Sequence, residues 1–306
     1  MKKISIIIPF YNEEKNIEKL FLDLKSKVLN NTKYKFEILL MDNGSTDRSG
    51  EIARKLSNLK ENIRYFKMSR NFGYQANIKA GYDLCTGDAA VQLDADGEDD
   101  PFVINLFISK WEEGYDVVYG VRKKRKENFI LTFFRNLFYY FVNKSSEINI
   151  PEKAGDFRLL NRKIIDQLKI FNEKNLYLRG LITYIGYKQI GIDYERNKRY
   201  SGKSKISILQ YFEIALSAIT SFTKKPLLII FIMGFSIFFL SLLLIIFYLV
   251  LYLFNFIEQP GFTTLILISL FFFGLLIFLI GIIGVYLGYI LDEVKKRPNY
   301  IINEKK

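Results

Sequence analysis

The sequence predicts an open, mostly parallel α/β sheet with an apolar helical hairpin in its C-terminal third. Three observations lead there. Over residues 1–121, short β-branched runs alternate with charged amphipathic segments, the pattern of strands joined through crossover helices. The residues best suited to chemistry fall directly after the strand-like runs, where such sheets hold ligands. Residues 227–257 are 31 positions without a charge and residues 259–291 another 33, with Glu258 alone between them. At about 1.5 Å rise per residue, each run exceeds the roughly 20 residues needed to cross a bilayer.

Taken in order, residues 4–9 form a continuous apolar run, the mark of a strand buried on both faces. A charged helix is expected over 14–29, then a strand over 36–42, a helix over 47–59 and a strand over 63–68. A helix over 74–85, a strand over 89–94, a helix over 101–113 and a strand over 117–121 complete the alternation. Strand one runs into Pro9-Phe10-Tyr11-Asn12-Glu13. Strand two runs into Asp42-Asn43-Gly44-Ser45-Thr46-Asp47, where glycine permits a tight turn and Thr46 or Asp47 can cap the next helix. Strand four runs into Asp94-Ala95-Asp96-Gly97-Glu98-Asp99-Asp100. Five carboxylates in seven residues repel one another unless a cation or a strong positive group sits among them. Hard oxygen ligands without His or Cys point to Mg²⁺ or Mn²⁺, the usual partners of a diphosphate.

Composition narrows the chemistry. Of 306 residues, 50% are hydrophobic and 25% charged, which excludes a disordered or collagen-like chain. Cys85 is the sole cysteine, so there is no disulfide framework. Histidine is absent, which removes a Ser-His-Asp triad, a His-metal site and a His general base. No Gly-x-x-x-x-Gly-Lys-Ser/Thr or Gly-x-Gly-x-x-Gly signature follows a strand, which disfavours P-loop nucleotidases and dinucleotide dehydrogenases. Residues 226–306 hold 5 Lys+Arg against 4 Asp+Glu, so +11 of the net +12 lies on the first 225 residues. That excess is clumped at 122–126, at 196–205 and at Lys224-Lys225. Beside membrane-seeking segments and without a recognition motif, it suits anionic lipid and phosphorylated substrates, not nucleic acid. Lys224 and Lys225 precede the first apolar run and Lys295, Lys296 and Arg297 follow the second, while the turn at 258–261 has no Lys or Arg. By the positive-inside rule both termini are cytoplasmic. The apolar run at 4–10 is too short for a cleavable signal peptide.

Seven ordered segments carry a resemblance: ISIIIPFYNEE (4–14), LLMDNGSTDRS (39–49), RNFGYQANIKAGYDLCTGD (70–88), LDADGEDDP (93–101), GDFRLLNRK (155–163), LRGL (178–181) and RYSGKSK (199–205). Together they resemble family 2 glycosyltransferases of the GT-A type. More narrowly, the chain is similar to the bacterial polyprenyl-phosphate glycosyltransferases, relatives of dolichol-phosphate mannose synthase. The resemblance implies that Pro9, Tyr11, Glu13 and Asp42 line the nucleotide pocket, that Asp94 contacts the donor, and that Asp96, with Asp94 and Glu98, holds the metal. The family usually has Gln where this chain has Glu98, and a second Pro where it has Asp100, so donor identity is not carried over. Arg199, Gly202, Ser204 and Lys205 match a basic loop expected to close over the donor phosphates. Arg158 and Arg179 are expected at the acceptor or the diphosphate, and Arg135 at the acceptor phosphate. Asp156 matches the position often assigned as catalytic base. A phosphate nucleophile, however, arrives ionised near neutral pH because its second pKa is about 6. It needs aiming more than deprotonation, so both a base role and an orienting role stay open for Asp156, and the absent histidine costs this reaction little.

Residues 128–142 hold seven aromatics around a thin polar stripe that includes Arg135, the profile of an interfacial helix. Residues 207–225 suggest a second such helix leading into the first span. In the second run Gly274, Gly281 and Gly288 fall at heptad spacing with Gly284 beside them, a smooth face for the first span or for a homo-oligomer. The expected organisation is a cytoplasmic catalytic domain over 1–206, a juxtamembrane helix over 207–225, a two-span anchor over 226–291 (helices about 227–254 and 262–290) and a basic tail over 292–306. The expected activity is inverting, metal-dependent transfer of one hexose from a nucleotide diphosphate sugar to undecaprenyl phosphate at the inner membrane. UDP-glucose is the first choice of donor by resemblance, before UDP-N-acetylglucosamine and GDP-mannose. A processive polysaccharide synthase is the rival enzyme, but it needs a Gln-x-x-Arg-Trp segment and a multi-helix channel, and the sole tryptophan here is Trp111 in Lys110-Trp111-Glu112. A sugar-nucleotide-binding membrane scaffold without catalysis is the rival of another class.

Overall fold

The computed structural model describes residues 1–123, 154–174, 176–201, 225–254 and 261–306. The expected interface helices at 128–142 and 207–225, the turn at 258–261 up to Pro260, and the site residues Arg135, Ser204 and Lys205 lie outside the described residues. The chain divides into two compact units, Met1–Ala218 with Arg297–Lys306, and Ile219–Lys296.

In the first unit the apolar runs become strands of one eight-stranded sheet, ordered β7-β5-β6-β4-β1-β2-β3-β8. The strands are β1 (Lys3–Phe10), β2 (Lys35–Asp42), β3 (Ile63–Met68), β4 (Ala89–Gln92), β5 (Val117–Arg122), β6 (Ala154–Asn161), β7 (Gln189–Tyr194) and β8 (Ile302–Lys305). β4, β1, β2 and β3 run parallel, in register from Ile4 opposite Phe36 to Phe10 opposite Asp42. β6 is antiparallel to both β4 and β5, and β7 returns parallel to β5. Because parallel crossovers carry helices to both faces, every residue of β1 and β2 after the first is buried. Helices α1 (Ile17–Leu24, continued by a wider π-type turn over Lys25–Leu29), α2 (Ser49–Ser57) and α4 (Val103–Glu112) cover one face. Leu20, Leu24, Ala53, Leu56, Phe107 and Trp111 pack there with Ile4, Ile6, Ile8, Ile38 and Leu40. Each such aliphatic side chain contributes about 1.5–3 kcal/mol by leaving water. α3 (Tyr74–Leu84) covers the other face, where a Cβ at Gly81 would overlap the Ile7 side chain, so glycine sets the depth of that contact. α5 (Arg162–Ile170) and α6 (Leu178–Ile185) complete the unit.

The last residues are not a free tail. β8 adds an antiparallel edge strand to β3, and Tyr65 and Lys306 exchange two backbone hydrogen bonds of 2.8 Å. Arg54 clamps Glu304 with two hydrogen bonds of 2.8 Å, and the Tyr300 hydroxyl donates to Asp83 at 3.0 Å.

The second unit contains α7 (Lys225–Leu253, 29 residues) and α8 (Phe262–Val294, 33 residues). Within α8, Phe271–Val294 is long and apolar enough to cross a membrane, and large side chains such as Phe271, Ile277 and Phe278 are exposed along it. Among the described residues nothing lies within 4 Å of where a Cβ would stand at Gly274, Gly281, Gly284 or Gly288.

Candidate active site

All the gathering residues sit where the parallel strands end. The β1 and β2 loops lock together first. Asn12, at φ 56°, accepts from Thr46 N at 2.8 Å and donates its own N–H to Ser45 Oγ at 3.0 Å, while Glu13 N donates to Ser49 Oγ at 2.7 Å. Asp47 does receive Ser49 N at 3.0 Å at the start of α2. Pro9 and Tyr11 flank this junction. The carboxylate expected at the nucleotide from Asp42 instead turns inward. It is fully buried, accepting from Ser45 N at 2.7 Å and from the Tyr65 hydroxyl at 2.9 Å, so it shapes the turn. Glu13 likewise faces protein partners, accepting from Asn16 Nδ2 at 2.5 Å and Arg199 Nη2 at 2.9 Å.

The acidic loop follows β4. Asp94 Oδ1 accepts from the Tyr74 hydroxyl at 2.6 Å and from Gln92 Nε2 at 2.8 Å. Burial first, then the charges of Asp96 and Asp99, push its carboxyl up to about 7, against the pull of the Tyr74 hydrogen bond. Asp96 caps Glu98 N at 3.1 Å and has Arg199 Nη2 at 3.9 Å. Glu98 is paired with Arg196, and burial with Asp96 still raises its pKa. Asp99 is buried, accepting from the Tyr194 hydroxyl at 2.5 Å and from Arg196 Nε at 3.0 Å. Of the three carboxylates expected at a metal, Glu98 is thus engaged by a guanidinium, and no cluster of three or more metal-capable side chains forms among the described residues. Asp94 and Asp96 offer two hard carboxylate oxygens on one loop, and burial first, then the Asp96 charge, disfavours ionisation of Asp94, the setting a divalent cation with a diphosphate would relieve.

Across the cleft, β6 and α6 bring a second set. Asp156 accepts a bidentate pair from Arg179, Nε at 2.8 Å and Nη2 at 2.6 Å. Burial would raise this carboxyl, but Arg179, with Arg158 and Arg122 beyond it, holds it down at about 2. Arg158 is buried, donating to Gly155 O at 2.7 Å beside the Tyr82 hydroxyl, which has no hydrogen-bond partner among the described residues. Gln75 ties α3 to this side, accepting from Leu178 N at 3.2 Å.

The structure brings the expected Asp94, Asp96, Asp156, Arg158, Arg179 and Arg199 together with Tyr74, Gln92, Arg122, Arg196 and Tyr200, to which the sequence assigned no individual role. Arg122 ends β5 and obeys the same rule that singled out the other loops, so its signal was present. Tyr74 and Gln92 carry no charge and gave none.

The mixed sheet thus sets an acidic loop and a guanidinium cluster at the carboxyl ends of its parallel strands, where open α/β sheets hold ligands. The model of the family described as Glycosyl transferase family 2 matches residues 5–169. The chain is 40% identical over 304 residues to the uncharacterized glycosyltransferase YkcC of Bacillus subtilis (strain 168), covering 98% of this chain and 93% of that one. It is 31% identical over 305 residues to the bactoprenol glucosyl transferase of Shigella phage SfX, covering 99% and 100%. Among solved structures, glucosyl-3-phosphoglycerate synthase from Mycobacterium tuberculosis, in complex with Mn²⁺, UDP and glucosyl-3-phosphoglycerate, matches with a TM-score of 0.48 at 15% identity over 72% of this chain and 78% of that one. The chain belongs to glycosyltransferase family 2.

Proposed function

We propose that this enzyme transfers one hexose, with inversion, from a nucleotide diphosphate sugar to undecaprenyl phosphate at the cytoplasmic face of the inner membrane, with UDP-glucose as first donor. The observation that carries this reading is the division of the cleft. One side is acidic around Asp94 and Asp96, and the other gathers Arg122, Arg158 and Arg179 around a single aspartate. A donor diphosphate bound with its cation matches the first, and a phosphate acceptor matches the second. The relatives named for bactoprenol glucosyl transfer support the acceptor and the sugar. Asp94 and Asp96 would hold Mg²⁺ or Mn²⁺, which supplies charge stabilisation to the departing diphosphate. Arg179, aimed by Asp156, would orient the acceptor phosphate, whose oxygen is already ionised. A carboxylate held near 2 is a weak base, so Asp156 serves by aiming Arg179.

A topological argument supports a two-span anchor. β8 lies in the same sheet as β1, so residues 302–305 share the catalytic domain's side of any membrane. A chain that crosses through Phe271–Val294 must then cross once more before it, and α7 is the available segment. With the catalytic domain read as cytoplasmic, the return of β8 supports placing both flanks of the anchor on that side.

The decisive trial offers the purified protein undecaprenyl phosphate with labelled UDP-glucose, UDP-N-acetylglucosamine and GDP-mannose in the presence of Mg²⁺ or Mn²⁺. A lipid bearing one sugar is expected, from UDP-glucose foremost; no lipid-linked sugar from any donor would sink the reading. For topology, Glu258→Cys should react with an impermeant maleimide in intact cells and Lys306→Cys only after lysis. The reverse pattern would refute the two-span anchor.

A further inference from the structure

Residues 195–201 leave β7 and run across the acidic loop. Two backbone hydrogen bonds lay them there, Asn197 N to Glu98 O at 2.8 Å and Tyr200 N to Asp96 O at 3.0 Å. Arg196 pairs with Glu98 and Asp99, so the near end is held by charge. The far end is fastened by one aromatic side chain. The Tyr200 ring lies over Gly97, where φ is +74° and any Cβ would overlap the ring. Its hydroxyl donates to the carboxylate of Asp23 on α1, and its ring packs against the main core. Beside it, Asn16 Nδ2 donates to Ser201 O at 3.3 Å. Gly97 is thus required twice, for its backbone conformation and for the space the ring fills.

What this fastening positions is Arg199. Its two ion pairs are unequal, 2.9 Å to Glu13 and 3.9 Å to Asp96, and its buried Nε has no hydrogen-bond partner among the described residues. The guanidinium is therefore anchored at one carboxylate and only loosely placed at the other, and Nη2 can leave the long contact to Asp96 without losing its anchor. We propose that Tyr200 is a positioning residue for nucleoside diphosphate binding, a latch on Gly97 and Asp23 that holds Arg199 ready for a diphosphate oxygen. This rests on reading the acidic loop as the donor side of the cleft. When the diphosphate arrives with its cation, Asp96 turns to the cation and Arg199 to the phosphate, while the latch keeps the segment from lifting away. Because the strap grips the phosphate in ground state and transition state alike, the latch acts on binding more than on turnover.

Calorimetric titration of the full chain in detergent with UDP and with GDP, in the presence of Mn²⁺, tests this directly. Tyr200→Ala should weaken nucleotide binding about tenfold, and Tyr200→Phe, which keeps the ring and loses only the hydroxyl bond, about threefold. Adding Gly97→Ala to Tyr200→Ala should cost less than Gly97→Ala alone, since the ring that the new methyl meets is gone. In turnover assays the donor KM should rise with kcat and the KM for undecaprenyl phosphate little changed. Wild-type binding of UDP or GDP with equal binding by both Tyr200 variants would overturn the latch and leave the donor reading intact. Failure of the wild type to bind either nucleotide would overturn both. A parallel rise of donor and acceptor KM in Tyr200→Phe would mark general disorder and also overturn the latch.

Discussion

The β4 side of the cleft leaves Asp94 among other carboxylates and pushes it up to about 7, whereas the β6 side gives Asp156 a bidentate guanidinium and holds it at about 2. Burial acts on both in the same direction, against ionisation. The neighbours decide the sign: Asp96 and Asp99 for one, Arg179 for the other. On one side Asp94 stands among carboxylates, while on the other three guanidinia, Arg179, Arg158 and Arg122, act on one aspartate. That difference is what the proposed division into a donor side and an acceptor side rests on, in a site without histidine.

The comparison breaks most visibly at Asp96. Asp96→Ala removes half of the Asp94/Asp96 pair, and lipid-linked sugar formation should fall by about a thousandfold or more. Its thermal unfolding should stay close to wild type, because Asp96 makes one local cap and one long ion pair. Retained turnover with labelled donor would remove Asp96 from the cation site.

A third buried carboxylate extends the contrast away from the cleft. Glu37 accepts from Ser5 Oγ at 2.7 Å, Thr86 N at 3.0 Å and Arg64 at 2.9 Å. Burial would raise it, yet these donors lower it to about 2. A folded value below the unfolded one stabilises the protein above the unfolded pKa, and that contribution fades as pH falls from about 4.5 toward 2. It amounts to about 3 kcal/mol at neutral pH. Glu37→Gln should lower the unfolding midpoint at pH 7 and flatten its dependence on acid over that window. A wild-type slope in the variant would show that Glu37 is not the group responsible.

Asp156→Asn separates aiming from base catalysis. With its carboxyl near 2, Asp156 is ionised throughout pH 5–8, so it gives the rate no titrating limb there. If it aims Arg179, turnover falls about tenfold and the pH–rate profile keeps its shape, since asparagine still accepts one guanidinium hydrogen bond. A loss beyond about a thousandfold, with a changed profile, would restore the base.

How far these features could be read from the chain depends on what made each one. The parallel strands β1 and β2 were legible because both faces are buried and nearly all their residues are apolar, and β3 because Ile63, Tyr65, Phe66 and Met68 keep a short apolar pattern. The acidic loop was legible because its charges are adjacent in sequence. Its counter-charges were legible only in kind: Arg196 meets Asp99 across 97 residues, a pairing that topology alone creates. The burial of Asp42 was not legible, because its hydrogen bonds to Ser45 N and the Tyr65 hydroxyl depend on a turn and a strand pairing that no spacing reports. β8 was illegible for another reason. Ile-Asn-Glu-Lys has no apolar run, and it is a strand because β3 offers a free edge.

That edge supplies the smallest effect and the finest test. The Arg54–Glu304 pair has good bidentate geometry, but its side chains are 41% and 32% exposed, so solvent screens it. Glu304→Gln should therefore cost at most about 1 kcal/mol of stability, and less at high salt. The backbone pairing of β8 with β3, and the Tyr65–Lys306 bonds, do not need the carboxylate and should persist. Hydrogen exchange at Tyr65 and Ser69, whose amides donate to Lys306 O and Ile301 O, distinguishes the two contributions. Unchanged protection in Glu304→Gln means that the strand is held by its backbone, as an edge strand should be. Loss of protection would mean that the ion pair holds β8 in place, and that the return of the chain to the sheet after Phe271–Val294 depends on a surface charge.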